Sequence, residues 1–198
     1  MMSQKLSLRG SAWVVTMALM CAGPLAAADI PEKKQTTAGL YLDVAEAAEM
    51  LKDPGVVFVD VRSRAEVAFL GLPTRVNVNI PYMQAPMMPE FDAKKHTYKL
   101  ELNPDFSLEF KAYAAANGVG EDTPIVLMCR SGSRSALAAN LLYEMGYKNV
   151  YSLIEGFEGD KAKDGPKKGQ RVVNGWKNGG LEWSYSISES QLYPADKM

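Results

Sequence analysis

Residues Ile125 to Ser135 combine the residue types and the spacing from which chemistry would be expected. Ile125 to Met128 is a short apolar run, typical of a buried strand, and Cys129 follows it directly. After the cysteine come six polar or small residues: Arg130, Ser131, Gly132, Ser133, Arg134 and Ser135. A helical pattern begins there, and its apolar face consists of Leu137, Leu141, Leu142 and Met145. The sequence therefore predicts a thiol at the carboxyl end of a strand, facing the N-terminus of a helix.

Three features of this loop favour a thiolate over a thiol. Backbone N–H groups can converge on the sulfur, the helix dipole adds partial positive charge, and two arginines lie close in sequence. Gly132 lets the backbone approach closely, and Arg134 is expected to hold an anionic group near the helix start. Arg130 is expected to face outward, where it either steers anions or is merely solvated. At least one of Ser131, Ser133 and Ser135 is expected to cap the helix. The alternative is a buried cysteine beside a solvated turn.

The rest of the chain predicts an α/β fold that would position this loop. Two predicted helices start with capping boxes, Asp43 with Glu46 and Ser63 with Glu66. Strands are predicted at 39–42, 56–61, 76–80, 125–128 and 149–153. Their alternation with helices predicts a central, mostly parallel five-stranded sheet with helices on both faces. Pro81 to Lys99 is expected to be a long loop packed by Met83, Met87, Met88 and Phe91.

Asp60, Arg62 and Glu66 are predicted to support the structure. An Asp that closes a central strand can accept N–H groups of the next turn. Arg62 and Glu66 are four residues apart and are expected to pair across the helix start. The alternative is that these residues orient the Cys129 loop. Trp176 and Trp183 are also predicted to be structural, with side chains that cover the core.

The N-terminus is interpreted as an export signal. Lys5 and Arg9 precede an apolar run that Pro24 interrupts, and small residues before Asp29 offer a cleavage site near Ala28. The run is short for a membrane span, so no stable anchor is expected after cleavage. Lipid modification at Cys21 is not expected, because Met20 before it is too large. These features predict a signal peptide at 1–28 and a periplasmic location, followed by a polar, loose lead-in at 29–38, a domain at 39–186 and a tail at 187–198.

Cleavage would leave about 170 residues, enough for one domain with a real core. Cys129 would then be the one remaining cysteine, so no internal disulfide could form. Loss of Lys5 and Arg9 changes the formal net charge from −1 to −3, which excludes general attraction to nucleic acids or membranes. Any affinity for anions must be local. The lysines at 161, 163, 167 and 168 are interpreted as a solvated loop or, alternatively, as a site that attracts an anionic substrate or partner.

Four segments, taken together, resemble the single-domain rhodanese family of sulfurtransferases. Val59 to Arg62 with Glu66 is similar to the family's Asp-Val-Arg segment, and Gly71 to Pro81 is similar to its Gly…Asn-Ile-Pro run. Cys129 to Ser135 resembles its active-site loop. Its closing Gly…Trp…Gly-Leu-x-Trp pattern is matched by Gly156, Trp176, Gly180, Leu181 and Trp183. The chain departs from the family at Leu72 to Arg75, which has no histidine, and in two segments longer than in a minimal domain, 81–103 and 160–171.

The resemblance implies a rhodanese-like fold and transfer of a sulfane sulfur. A thiolate can attack such a sulfur without a general base or a metal, so no cofactor is expected beyond a covalent Cys129 persulfide. The expected donor is a small anion such as thiosulfate. The expected acceptor is cyanide, a thiol or a partner protein. The alternative is a persulfide carrier or protein-binding module that does not turn over.

Three other kinds of site are weighed against this one. A cysteine phosphatase would have five residues between its Cys and Arg, whereas four separate Cys129 from Arg134. A Cys-His hydrolase would need His96 as its base, yet that residue lies in a Met-rich, Lys-flanked segment. One Cys and one His cannot supply the usual set of zinc ligands, so no metal site is predicted.

Overall fold

The structure is a computed structural model that describes residues 30–192 of the chain. The predicted signal segment and residues 193–198 of the predicted tail lie outside the described residues. The helices are α1 (Val44–Met50), α2 (Arg64–Leu70), α3 (Phe106–Asn117) and α4 (Ser133–Glu144). The strands are β1 (Tyr41–Leu42), β2 (Val57–Asp60), β3 (Leu72–Pro73), β4 (Val78–Asn79), β5 (Met83–Gln84), β6 (Phe91–Asp92), β7 (Thr97–Tyr98), β8 (Glu101–Leu102), β9 (Ile125–Met128), β10 (Val150–Leu153) and β11 (Trp183–Ser184).

Five strands form the central sheet, in the order β1-β10-β9-β2-β4, and every pairing in it is parallel. Strand β9 therefore lies in the middle, between β10 and β2. Alternate residues of β9 pack into two different cores. Ile125 and Leu127 face a core that includes residues of α3 and α4, whereas Val126 and Met128 face one that includes residues of α1 and α2. The predicted α/β fold with helices on both faces of a five-stranded sheet is confirmed.

Both predicted capping boxes are present. In α1 the Asp43 side chain accepts from the backbone N–H of Glu46, and the Glu46 side chain accepts from that of Asp43. Ser63 and Glu66 make the same reciprocal bonds at the start of α2. Each box satisfies backbone donors that the first helical turn leaves without partners. Helix α2 therefore starts at a fixed point after β2. This places Glu66 near the end of the sheet at which β9 terminates.

The polar composition of the lead-in predicts a loose segment, and this prediction is wrong. Ile30 and Lys34 are buried, and a short 3-10 helix at Glu32–Lys34 packs against α4. The Lys34 Nζ lies 3.0 Å from a carboxylate oxygen of Asp160. A lysine is buried only with a partner, so Asp160, 126 residues later in the chain, holds this segment in place.

The prediction for 81–99 is also wrong in part. Strands β5 and β8, and likewise β6 and β7, form two small antiparallel ladders in this region. Met87 is 97% exposed and Met88 76% exposed, so these methionines do not pack the segment. Backbone pairing, which the irregular sequence pattern does not reveal, shapes it instead. Within residues 30–192, no helix is both long and apolar enough to cross a bilayer.

Candidate active site

Cys129 lies at the carboxyl end of the central strand β9, where the sequence predicts it. The residue is only 1% exposed. The loop of Arg130, Ser131 and Gly132 leads directly into α4, and the Gly132 N–H donates to the Cys129 Sγ over 3.2 Å. This bond directs the positive end of a backbone dipole at the sulfur, at the N-terminus of a helix. Both effects stabilise negative charge on sulfur.

Gly132 is required for the shape of this loop. Its φ of +95° lies in the left-handed region, which side chains with a Cβ rarely adopt. A Cβ built on it would lie 2.1 Å from the backbone oxygen of Ile154. The loop therefore passes so close to the segment after β10 that only glycine fits.

The segment after β10 fastens the other side of the loop. The Phe157 N–H donates to the Cys129 carbonyl over 2.8 Å, and the Glu158 N–H donates to the Arg130 carbonyl over 3.0 Å. A Cβ on Gly156 would lie 2.6 Å from both the Cys129 oxygen and the Ser131 nitrogen. The sequence pattern includes Gly156, but its contact with the Cys129 loop is visible only in the fold.

Arg134 and Glu66 link the two helices beside the loop. Two guanidinium nitrogens of Arg134 each donate to a different carboxylate oxygen of Glu66, both at 2.6 Å. Burial raises the pKa of Glu66, but its hydrogen bonds and the charges of Arg134 and Arg62 outweigh burial and hold that pKa below its usual value. Burial lowers the pKa of Arg134, but the hydrogen bond and charge of Glu66, together with the charges of Cys129 and Asp60, outweigh burial, so the net pKa is raised. Arg134 is thus a charged link between α4 and α2, and its expected contact with a donor stays a prediction.

The expected pairing of Arg62 with Glu66 is wrong. Arg62 is completely buried, and its Nε and one terminal nitrogen donate to the Asp60 carboxylate at 2.6 to 3.0 Å. The Asp60 carboxylate also accepts from the Arg62 backbone N–H, so the predicted role of Asp60 in the next turn is confirmed. Arg62 precedes the N-cap Ser63 and is not on the helix. Helical four-residue spacing therefore does not apply to it.

The remaining loop residues divide between surface and core. Arg130 faces outward as predicted, with its side chain 45% exposed, and its Nε lies 2.5 Å from a carboxylate oxygen of Glu158. Ser135 is buried and donates to the Gly132 carbonyl over 3.0 Å. No serine caps α4: Gly132 occupies the N-cap position, and no side-chain capping bond is present there. The left-handed backbone that turns the loop toward Cys129 requires glycine at this position.

Ser131 forms part of the wall of a cavity of about 820 Å³ beside the loop. The 160–171 segment and the lead-in supply most of the other walls. Sequence patterns did not predict this cavity, because the two segments that form it are far apart in the chain. The clustered lysines of 160–171 were the one available signal.

His96, by contrast, is exposed in the turn between β6 and β7, where its ring centroid lies 6.3 Å from that of Phe91. Within residues 30–192, no three His, Cys, Asp or Glu side chains cluster as metal ligands would.

Comparison with known proteins agrees with this geometry. The model of the Rhodanese-like domain family matches residues 43–163, which include α1, four of the five strands of the central sheet and the Cys129 loop. The uncharacterized protein RP600 of Rickettsia prowazekii is 33% identical over 129 residues, which are 64% of this chain and 81% of that protein.

A shorter stretch is similar to a protein with a named activity. The thiosulfate sulfurtransferase GlpE of Haemophilus influenzae is 50% identical over 38 residues, 19% of this chain and 36% of that protein. The crystal structure of Rv0390 from M. tuberculosis superposes with a TM-score of 0.54 at 28% identity, covering 74% of this chain and 97% of that one. The chain therefore belongs to the rhodanese-like domain family, a family of the sulfurtransferase type.

Proposed function

We propose that this protein transfers a sulfane sulfur from a small anionic donor such as thiosulfate to a nucleophilic acceptor, with Cys129 carrying the sulfur as a persulfide. The observation that carries the proposal is the Gly132 N–H directed at the Cys129 Sγ, 3.2 Å away, at the end of the central strand. Membership of the rhodanese-like family and the local similarity to a thiosulfate sulfurtransferase support the same chemistry.

In the first half-reaction, the Cys129 thiolate attacks the outer sulfur of thiosulfate. A new sulfur–sulfur bond forms on Cys129, the sulfur–sulfur bond of thiosulfate breaks, and sulfite leaves with that electron pair. The nucleophile is a thiolate, so it needs no general base and no cofactor. The backbone that holds Sγ is fixed before the donor arrives, because Gly132, Gly156 and Phe157 fasten the loop. Preorganised donors of this kind stabilise charge without reorganisation during the reaction.

In the second half-reaction, cyanide or a thiolate attacks the outer sulfur of the persulfide. The bond between that sulfur and Sγ breaks, and Cys129 leaves as a thiolate ready for another cycle. Because Cys129 is only 1% exposed, the donor and the acceptor can reach Sγ only past the residues that surround it. Shielding of this kind also limits oxidation of a solitary thiol.

The experiment is an intact mass of the reduced protein before and after thiosulfate, with Cys129→Ser as control. Cyanide is then added to the same sample. We expect a gain of one sulfur atom on the wild type only, followed by its removal and by release of thiocyanate over many turnovers. A stable gain that neither cyanide nor a small thiol discharges would favour a persulfide carrier. No gain with thiosulfate or polysulfide would refute the persulfide mechanism.

We also propose that the protein is exported to the periplasm after cleavage near Ala28. The charged start, the apolar run and the small residues before Asp29 support this proposal. N-terminal sequencing of protein recovered from a periplasmic fraction is expected to begin at Asp29. Recovery of the uncleaved chain in the cytosol would contradict it.

A further inference from the structure

The cavity beside the Cys129 loop is much larger than the donor in the proposed reaction requires. Its volume is about 820 Å³, within the range of about 300–1,000 Å³ typical of sites for organic ligands. Thiosulfate and cyanide are far smaller. Ser131 belongs to both the Cys129 loop and the cavity wall, so a ligand in the cavity would lie against the loop that carries the reacting sulfur.

The charged side chains around this cavity are mainly cationic. Two acidic residues, Asp160 and Asp164, are outnumbered by Lys33, Lys34, Lys161, Lys163 and Arg171. Asp160 already neutralises Lys34. Of the residues from 30 to 192, none forms an ion pair with the other four cations. The cavity thus offers local positive charge on a protein whose overall charge is slightly negative.

Arg171 is the cation that most directly indicates a ligand. Its Nη1 donates to the Gly159 carbonyl, but its Nε is buried and has no hydrogen-bond partner in the described chain. A buried donor left without a partner costs about 1–3 kcal/mol. Burial and repulsion by Arg130 lower the pKa of Arg171, although Glu158, Asp160 and Cys129 oppose that shift. Arg171 is thus close enough to interact electrostatically with the reacting cysteine.

The two arginines of the Cys129 loop are less available to bind a ligand in the cavity. Arg134 is bound by Glu66 through two hydrogen bonds, and Arg130 is paired with Glu158. Their charges are already balanced by carboxylates. Arg171 has no such partner among the described residues, and it comes from the 160–171 segment.

We propose that this cavity is the acceptor site and that it binds a low-molecular-weight, peptide-sized thiol bearing carboxylates, with Arg171 as the anchor for one carboxylate and Lys163 as a second cation. The inference rests on the proposed sulfur transfer. The acceptor thiol loses its proton to solvent, and its thiolate attacks the outer sulfur of the Cys129 persulfide. The bond to Sγ breaks, Cys129 leaves as a thiolate, and the acceptor becomes a persulfide. No electrons are gained or lost overall.

The test isolates the acceptor step. Protein is loaded with thiosulfate, freed of excess donor and shown by intact mass to carry one extra sulfur. It is then mixed with glutathione, which carries two carboxylates, or with glutathione diethyl ester, in which both are blocked. The rate of sulfur loss is compared at equal thiolate concentration. We expect glutathione to react at least about tenfold faster than its ester, because tenfold corresponds to about 1.4 kcal/mol, just below the range of about 1.5–3 kcal/mol for a hydrogen bond to a charged group.

Three variants assign that preference to the cavity. Arg171→Gln is expected to lower the ratio of the two rates about tenfold, and Lys163→Gln about threefold, since an exposed charge contributes less. Lys163 is exposed, so its variant tests the proposal even if Arg171→Gln disturbs the fold. Lys168→Gln is the matched control, because Lys168 lies in the same segment outside the cavity wall. It is expected to leave the ratio unchanged.

Three results would overturn the inference, and the first is distinguishable from the other two. A wild-type protein that gains no sulfur would refute the proposed function and this inference with it. A loaded protein that reacts equally with glutathione and its ester would refute the acceptor site alone. Equal effects of Lys163→Gln and Lys168→Gln would do the same.

Discussion

The Cys129 loop has a side that faces the protein and a side that faces solvent, and each carries one arginine–carboxylate pair. On the protein side, the side chains of Arg134 and Glu66 are 12% and 17% exposed and are joined by two hydrogen bonds. On the solvent side, the Arg130 side chain is 45% exposed and is joined to Glu158 through Nε. An ion pair shielded from water contributes more to stability than the same kind of pair in contact with water, provided that it is fully hydrogen-bonded. The pair on the protein side therefore helps to fix the position of the thiol, and the pair on the solvent side constrains it less.

The largest effect is expected at Gly132, where the loop passes close to the backbone of Ile154. Gly132→Ala would place a Cβ 2.1 Å from the Ile154 carbonyl oxygen on a residue with φ of +95°. Such overlap with backbone is expected to cost at least about 4 kcal/mol of unfolding free energy, measured by urea denaturation, or to prevent folding.

Gly118→Ala is the matched control, because Gly118 also has positive φ but no atom within 4 Å of a built Cβ. It is expected to cost about 1–2 kcal/mol, from backbone strain alone. Equal losses in the two variants would show that the close approach at Ile154 is not what requires glycine.

The next effect is expected at the pair on the protein side. Glu66→Gln keeps an oxygen for the capping box but removes the charge that Arg134 binds, so we expect a loss of about 2–3 kcal/mol in unfolding free energy. Glu46→Gln alters the same capping motif in α1, where the structure shows no arginine partner for Glu46 among residues 30–192. It is expected to cost less than about 1 kcal/mol. Similar losses at both positions would mean that the cap, and not Arg134, accounts for the role of Glu66.

The same pair predicts a pH dependence. The pKa of Glu66 is lower in the folded protein than its unfolded value of 4.5, so folding is favoured by the ionised form. That stabilisation is fully present above the unfolded pKa and is lost as the pH falls through the folded one. The difference in unfolding free energy between wild type and Glu66→Gln is therefore expected to shrink from pH 6 to pH 3. A difference that stays constant over this range would contradict the assignment.

The smallest effect is expected on the solvent side. Arg130→Gln removes a largely exposed ion pair and is expected to change the unfolding free energy by less than about 1 kcal/mol. The rate of persulfide formation from thiosulfate is expected to fall about two- to threefold at low salt and to approach that of the wild type at high salt, because exposed charges are screened. Stopped-flow loading at two ionic strengths measures this. A stability loss as large as that of Glu66→Gln would remove the contrast between the two sides.

Local chemistry in the sequence determined much of this protein. The capping boxes at Asp43 and Ser63 involve residues three positions apart, and both are present as predicted. The apolar run before Cys129 identified the central strand, and the pattern that follows it identified α4. These local patterns predicted an α/β fold, and the resemblance of four motifs to the rhodanese family implied the rhodanese-like fold. These features depend on short-range hydrogen bonds and on burial of apolar faces, which sequence periodicity records.

The partners of charged groups were decided only by the tertiary structure. Glu66 meets Arg134, 68 residues away, and Lys34 meets Asp160, 126 residues away. Arg62 turned inward to Asp60 because it precedes the helix on which its spacing to Glu66 would have mattered. The acceptor cavity likewise exists only where the lead-in meets the 160–171 segment. Pairing over such distances is set by how the sheet and helices bring chain segments together, and single-sequence spacing carries no record of it.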